Sequence, residues 1–261
     1  MLNYFFHSQL ALGLAESAVA ALLALTAMLV ARKRAPGLLR ELPLAELRGI
    51  LQIVAVGAVL AFMLHGPQWT SLIVLTAMML AAAGIVRKRA RRIPRAFALA
   101  LASICAGAGI VLAIMIVSGV IPLKITMLVP VGSMVIANTM NTLSLFLDRL
   151  HGEVTSHVGE IESALALGAS TEAALLPYIQ ASLRASLIPS IDNIRSLGIV
   201  WIPGIMAGMV LSGASPLFAA LYQFVVLTTI FSAAVLTCFV SSHLVMRRLF
   251  SRYDQLLLRP A

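Results

Sequence analysis

All but one of the 19 Lys and Arg residues in this chain fall into four clusters, 32–48, 87–95, 149–195 and 247–259, and the stretches between them are long, apolar and nearly free of charge. Few folds are open to a chain written this way. A run of about 20 apolar residues is long enough to cross the hydrocarbon of a bilayer as a helix. Helix is also what hydrocarbon demands, because a backbone N–H or C=O with no partner is too costly there. The runs that meet this description are 8–31, 46–65, 68–86, 96–121, 124–147, 197–213 and 216–246. They predict an all-α, polytopic integral membrane protein of about seven transmembrane helices, forming one domain over 1–261. Composition excludes a soluble fold: 61% of the residues are hydrophobic and 11% charged, against about 45–50% and roughly 25% in soluble domains.

Basic clusters between apolar spans mark the cytoplasmic loops. Placing 32–48 inside also places 87–95, 148–196 and the C-terminal tail inside. The N-terminus and the turns at 65–67, 121–123 and 212–216 then fall outside, and Lys124 alone departs from the rule. The expected location is the cell inner (plasma) membrane. The net charge of +9 therefore reads as topology, and nucleic acid is not an expected partner, since aromatic-studded basic surfaces are missing. Cys105 and Cys238 sit in apolar runs without C-x-x-C or zinc spacing and read as buried thiols. The first span has no basic region ahead of it, so no cleavable leader is expected.

The segment 148–196 is the one long stretch without a predicted crossing, and it carries a helical pattern. Ile161, Ala164, Leu165 and Gly168 recur on one face, with Glu160 and Glu162 off it. Gly168 can end that helix in the left-handed conformation. Ser170 can cap a second helix and Glu172 then lies in its first turn, where the helix dipole favours a carboxylate. The second helix is expected to run to about 187, before Pro189. The result is a helix, a sharp bend and a helix on the cytoplasmic side.

Motifs for covalent chemistry are absent. None of the three lysines, Lys33, Lys88 and Lys124, precedes Ser or Thr, so there is no P-loop, and neither H-E-x-x-H nor G-x-S-x-G occurs. Active transport by this chain would need a separate motor. Glu162-x-Ala164-x-x-x-Gly168 with Ala169-Ser170 resembles the E-A-A-x-x-x-G cytoplasmic loop of ABC importer permeases, with Ser163 at the middle position. By pattern alone, a docking element and a plain surface helix both remain open.

Longer stretches carry a closer resemblance: "LALGAS" (165–170), "SLRASLIPSIDNIRSLGIVWIPGIMAGMVLSGASP" (182–216), "YQF" (222–224), "IPLKITMLVPVGSMVIANTMN" (121–141) and "LRGILQIVAVGAVL" (47–60). These resemble the FetB-type iron-export permease family, which includes plant aluminium-tolerance permeases. The resemblance implies a permease subunit of an ABC transporter that exports iron or a related metal. It implies a cytoplasmic ATPase partner, which would hold the ATP and Mg, and a homodimer of permeases. No cofactor is expected in this chain itself. The 148–196 region would be its coupling region, with Glu162, Ala164, Gly168, Ala169 and Ser170 at the contact.

Polar residues within the spans are the remaining signal, because each is costly in lipid and faces protein or water. Glu16 is either a site on a cation path or an interfacial carboxylate. Arg48 reads as an interface anchor, and Gln52, one turn deeper, as a group on the translocation path or a partner for a neighbouring helix. The fifth span is the most polar, with Ser133, Asn138, Thr139, Asn141 and Thr142 beside Met134; it lines the path or bonds neighbouring helices. Pro203-Gly204 is expected to break the sixth span near its middle, next to Met206, as broken helices do where they line a cavity. Metal ligands are not identifiable from these residues. Two other readings stay open: an ATP-independent secondary transporter or channel, and a membrane scaffold that moves nothing.

Overall fold

The computed structural model describes residues 9–31, 38–63, 67–90, 93–250 and 256–257. Arg32, Lys33, Arg34, Arg91, Arg92, Arg252, Arg259 and the His65-Gly66 part of the turn at 65–67 lie outside the described residues. Among the described residues the only regular structure is helical, apart from isolated bridges between Leu197 and Trp201 and between Phe250 and Leu256. The chain divides into two compact units, Met1–Gly66 and Pro67–Ala261, where the sequence reading treats it as one domain.

The first unit contains α1 (Gln9–Ala31) and α2 (Leu38–Met63). Glu16 on α1 is exposed, as are Arg48 and Gln52 on α2. The second unit contains α3 (Thr70–Arg89), α4 (Ala96–Ile104), a π-helical segment (Cys105–Gly109), α5 (Ile110–Val117), α6 (Ile125–Ser156), α7 (Val158–Ala166), α8 (Thr171–Arg195), α9 (Gly204–Leu211) and α10 (Pro216–Leu249). Helix α6 is the axis of this unit, with α3, α8 and α10 packed against it. Its buried face, Leu128, Val135, Leu143, Phe146, Leu147 and Leu150, follows helical spacing and forms the middle of the core.

Five stretches among the described residues are long and apolar enough to cross a membrane: Ala11–Val30, Thr70–Arg89, Ala96–Val117, Ile125–Ser156 and Pro216–Leu249. The second predicted crossing, 46–65, overlaps α2 as far as Met63, and the first half of α2 carries Arg40, Glu41, Glu46 and Arg48. The fourth is α4 and α5 joined through the π segment, so its helix runs on without a stop but with one wider turn.

The sixth predicted crossing, 197–213, is not a membrane-length helix. Gly198 takes φ +75, its N–H donates to the Trp201 carbonyl at 3.1 Å, and helix resumes only at Gly204 after an extended Pro203. The eight residues of α9 span about 12 Å, well short of a bilayer. Hydropathy sees a continuous apolar run here; Gly198 and Pro203 cut it. The break falls ahead of α9, not in the middle of a span.

The second helix of the 148–196 segment is also longer than its sequence suggests. Helix α8 passes through Pro177 and Pro189 and ends at Arg195, not at 187. Ser182, Ser186 and Ser190 lie buried on one of its faces. Small residues four apart let helices approach closely, and α8 packs this face against α6 and α10. Packing along that stripe carries the helix across its prolines.

Candidate functional site

Three helices converge on one cleft of about 270 Å³ in the second unit. Helix α6 contributes Met134, Ala137, Asn138 and Asn141; α8 contributes Ser190, Asn193 and Ile194; the turn before α9 contributes Trp201; α10 contributes Leu227, Ile230 and Phe231. The spacing of 134, 137, 138 and 141 is one face of a helix. Asn138 is the centre of the polar contacts. Its Oδ1 accepts from Ser190 Oγ and from Thr142 Oγ1, each at 3.4 Å, while Thr142 Oγ1 also donates to the Asn138 carbonyl at 2.9 Å. These side-chain bonds are long and leave the amide able to turn toward a ligand. Trp201 Nε1 donates to Ser196 Oγ at 3.2 Å, which fixes the indole at the rim.

Asn138 lies 13 residues into α6, or about 20 Å along its axis. The whole helix, at 32 residues, is about 48 Å long and exceeds the roughly 30 Å hydrocarbon core. The cleft thus sits well inside the apolar stretch of α6, at the depth where side-chain amides are most costly to leave without a task.

The second feature is the bend between α7 and α8. Gly168, at φ +90, donates its N–H to the Leu165 carbonyl at 3.0 Å, and Ala169 donates to the Ala164 carbonyl at 3.0 Å. That pair of bonds is a Schellman C-cap, which closes the last turn of α7 and calls for a left-handed residue. Ser170 is extended, and its Oγ accepts from the Ala173 N–H at 3.2 Å, starting α8. Glu172 lies in the first turn. At the base of the hairpin Tyr178 Oη donates to Glu160 Oε2 at 2.9 Å, and the His157 ring stands 4.9 Å from the Tyr178 ring. Burial and the neighbouring Glu160 carboxylate push the Tyr178 phenol above its usual range, so it stays a donor.

Ile161 is buried beneath the hairpin, whereas Leu167 at its tip is 89% exposed. Glu162, Gly168 and Ser170 are exposed, and Ala164 and Ala169 half-buried. Thr171 and Glu172 share a cleft of about 220 Å³ with His243, Met246, Arg247 and Phe250. The bend therefore lies at the end of the bundle that carries the basic residues of α10. Ser170→Ala is expected to remove about 1 kcal/mol of helix start and so quicken exchange of the Ala173 amide about fivefold, read by hydrogen exchange.

Of the path residues predicted from sequence, Met134, Asn138 and Asn141 line the cleft. Ser133 does not; its Oγ bonds back to the Pro130 carbonyl at 2.8 Å. Pro203 is buried, Gly204 exposed and Met206 half-buried, and none of them is on the cleft wall. Gln52 belongs to the first unit. Sequence reading missed Ser190, Asn193 and Trp201. The Ser-x-x-x-Ser-x-x-x-Ser pattern at 182–190 was the available sign that α8 continues into the bundle. No group of three or more His, Cys, Asp or Glu residues among the described residues could hold a metal ion.

The family model described as "Uncharacterised protein family (UPF0014)" matches residues 14–250. The chain is 32% identical over 241 residues to the "Probable iron export permease protein FetB" of Escherichia coli (strain K12), covering 92% of this chain and 93% of that protein. It is 32% identical over 238 residues to "UPF0014 membrane protein YjkA" of Bacillus subtilis (strain 168), covering 89% and 93%. It is 29% identical over 245 residues to "Protein ALUMINUM SENSITIVE 3" of Arabidopsis thaliana, covering 94% and 90%. No solved structure matches the chain.

Proposed function

The chain belongs to the UPF0014 family of membrane proteins, and from that membership and the cleft around Asn138 we propose that it is the permease subunit of an ABC transporter exporting iron or a related metal. The cleft carries the reading: three asparagine amides, a serine and an indole line one open space between α6, α8 and α10, more polar groups than the single Asn138–Ser190 bond between helices uses. The relative named a probable iron export permease supports the cargo class.

In this reading the chain crosses the inner membrane seven times, with its N-terminus outside and its C-terminus in the cytoplasm. The sixth crossing is made by α8 and α9 together around the turn at 196–203. A separate cytoplasmic subunit binds ATP and Mg, and two permeases pair above two such subunits. The exposed tip at Leu167 and Gly168, with Glu162, Ala164, Ala169 and Ser170 beside it, docks on that subunit. Closure of the ATPases pushes on α7 and α8, and α8 passes the motion to Ser190 and so to Asn138.

Co-expression with the neighbouring ATPase gene tests the reading. The two proteins are expected to co-purify, and cells holding both are expected to lose iron in an ATP-dependent way. Asn138→Leu should cut that efflux about tenfold or more, the worth of a hydrogen bond to a charged cargo. Efflux from vesicles holding this chain alone would instead favour a channel or secondary transporter. No metal movement at all would favour a scaffold.

A further inference from the structure

Between Glu46 and Asp148 the sequence contains no Asp or Glu, yet six Lys and Arg residues fall within 87–95. The fold gives this excess a shape. A cleft of about 880 Å³ opens between the end of α3 and the start of α4, with Gly84, Arg87, Lys88, Pro94, Arg95 and Phe97 on its walls. Arg87, Lys88 and Arg95 are exposed. None of the three is ion-paired among the described residues, where the ion pairs are His157–Glu153 and Arg195–Asp192. Like charges gathered on one cleft repel one another, and a bound anion relieves that repulsion.

The backbone is bent to build this cleft. Arg95 takes φ 54, the one left-handed non-glycine residue among the described residues, where glycine or asparagine would sit more easily. It is the N-cap of α4, and no side chain caps that helix. The free N–H groups at the start of α4 therefore add the positive end of its dipole beside the three cations. Arg248 Nη1 donates to the Arg95 carbonyl at 2.9 Å, which ties the end of α10 to the same corner. Gly84, one turn before Lys88 on α3, keeps the floor open, because a Cβ there would meet nothing within 4 Å.

Thr70–Arg89 and Ala96–Val117 are both long and apolar enough to cross a membrane, so the cleft lies where one crossing ends and the next begins, at the level of the lipid headgroups. We propose that it seats the headgroup of an anionic phospholipid, with the phosphodiester held by Arg87, Lys88 and Arg95. Basic pockets between membrane helices hold anionic headgroups in this way. The guanidinium forks of Arg87 and Arg95 match phosphate oxygens in pairs, and Lys88 adds a point charge. Phosphate chemistry alone would also suit a soluble phosphate. Pro94 and Phe97 favour the lipid, since their apolar surface has a use beside the glycerol and first acyl carbons and none beside a free phosphate. Such a site needs only the membrane fold and holds whatever the chain transports.

The test titrates the full chain, purified in detergent, with phosphatidylglycerol, phosphatidylcholine and sodium pyrophosphate, and counts bound lipid by native mass spectrometry. Phosphatidylglycerol is expected to be retained in preference to phosphatidylcholine. Arg87→Gln, Lys88→Gln and Arg95→Gln are each expected to weaken it about fivefold. Arg184→Gln, which removes the same charge from α8, should leave it unchanged. Gly84→Leu, which fills the floor and removes no charge, should weaken it about tenfold. Unfolding temperature without lipid is expected to stay level throughout; where one variant lowers it, the remaining ones decide. Equal retention of the two lipids, unchanged affinity in the three charge variants, or an equal loss in Arg184→Gln overturns the site. Unchanged affinity in Gly84→Leu overturns the cleft as its seat. Displacement of phosphatidylglycerol by pyrophosphate at equal concentration makes the ligand a soluble phosphate and overturns the lipid.

Discussion

Gly107→Ala is expected to leave little folded protein in the membrane, although it adds one methyl group. Gly107 is buried in the π segment where this turns against α10. A Cβ there would lie 2.7 Å from the Ala233 carbonyl oxygen and 2.7 Å from the Thr237 backbone nitrogen, and would overlap Thr237 Oγ1. Two of the three obstacles are backbone atoms of a long helix, which cannot swing aside as a side-chain end can. Overpacking a well-packed core costs about 1–3 kcal/mol when side chains can adjust; here the helices themselves must separate, and the cost is higher. Gly109, two residues on in the same segment, is the control. Its nearest neighbour would be Met79 Cε at 3.9 Å, an ordinary contact, so Gly109→Ala is expected to fold normally. Yield from membranes and unfolding temperature in detergent measure both. A Gly107→Ala chain as stable as the unsubstituted one would mean that α4, α5 and α10 do not meet as described.

The π segment also marks where sequence reading stops. Cys105-Ala-Gly-Ala-Gly109 reads as an unremarkable apolar stretch, and the close approach of Gly107 to α10 depends on residues 126 and 130 positions away. Local chemistry was legible: Gly168 and Ser170 each act on backbone groups within five residues, so the end of one helix and the start of the next could be read directly. So was the polar face of α6, since 134, 138 and 141 need only the helical period to share a side. The length of α8 was not legible. Serine and proline count against a buried helix on any hydropathy scale, yet Ser182 Oγ donates to the Tyr178 carbonyl at 2.7 Å and Ser186 Oγ to the Leu183 carbonyl at 2.8 Å. Such hydroxyls enter a packed bundle already satisfied. Conversely 197–203, apolar enough to be read as membrane helix, is a turn because Gly198 and Pro203 cut it, and that turn brings Trp201 to the cleft.

The bend at Gly168 carries the other large effect. On the proposed transport function, Gly168→Val is expected to abolish most ATP-dependent efflux without lowering the amount of folded chain. No atom lies within 4 Å of a Cβ at this position, so the substitution meets no neighbour, and whatever it does comes from the backbone. At φ +90 a β-branched residue is strained, while asparagine enters the left-handed region more readily than other side chains. Valine is therefore expected to open the two Schellman bonds and change the angle at which α7 leaves α8; asparagine should keep both. The Tyr178–Glu160 bond ties the two arms together at the base and the buried Ile161 holds the hairpin to the core, so the change is confined to its tip. If the tip is where a cytoplasmic ATPase pushes, Gly168→Val should lower co-purification of that subunit and cut efflux about tenfold or more, with Gly168→Asn close to the unsubstituted chain. The order of the two variants is the decisive reading. Valine and asparagine both equal to glycine would place the docking surface elsewhere, and equal loss in both would point to a need for open space at residue 168 instead of a left-handed turn.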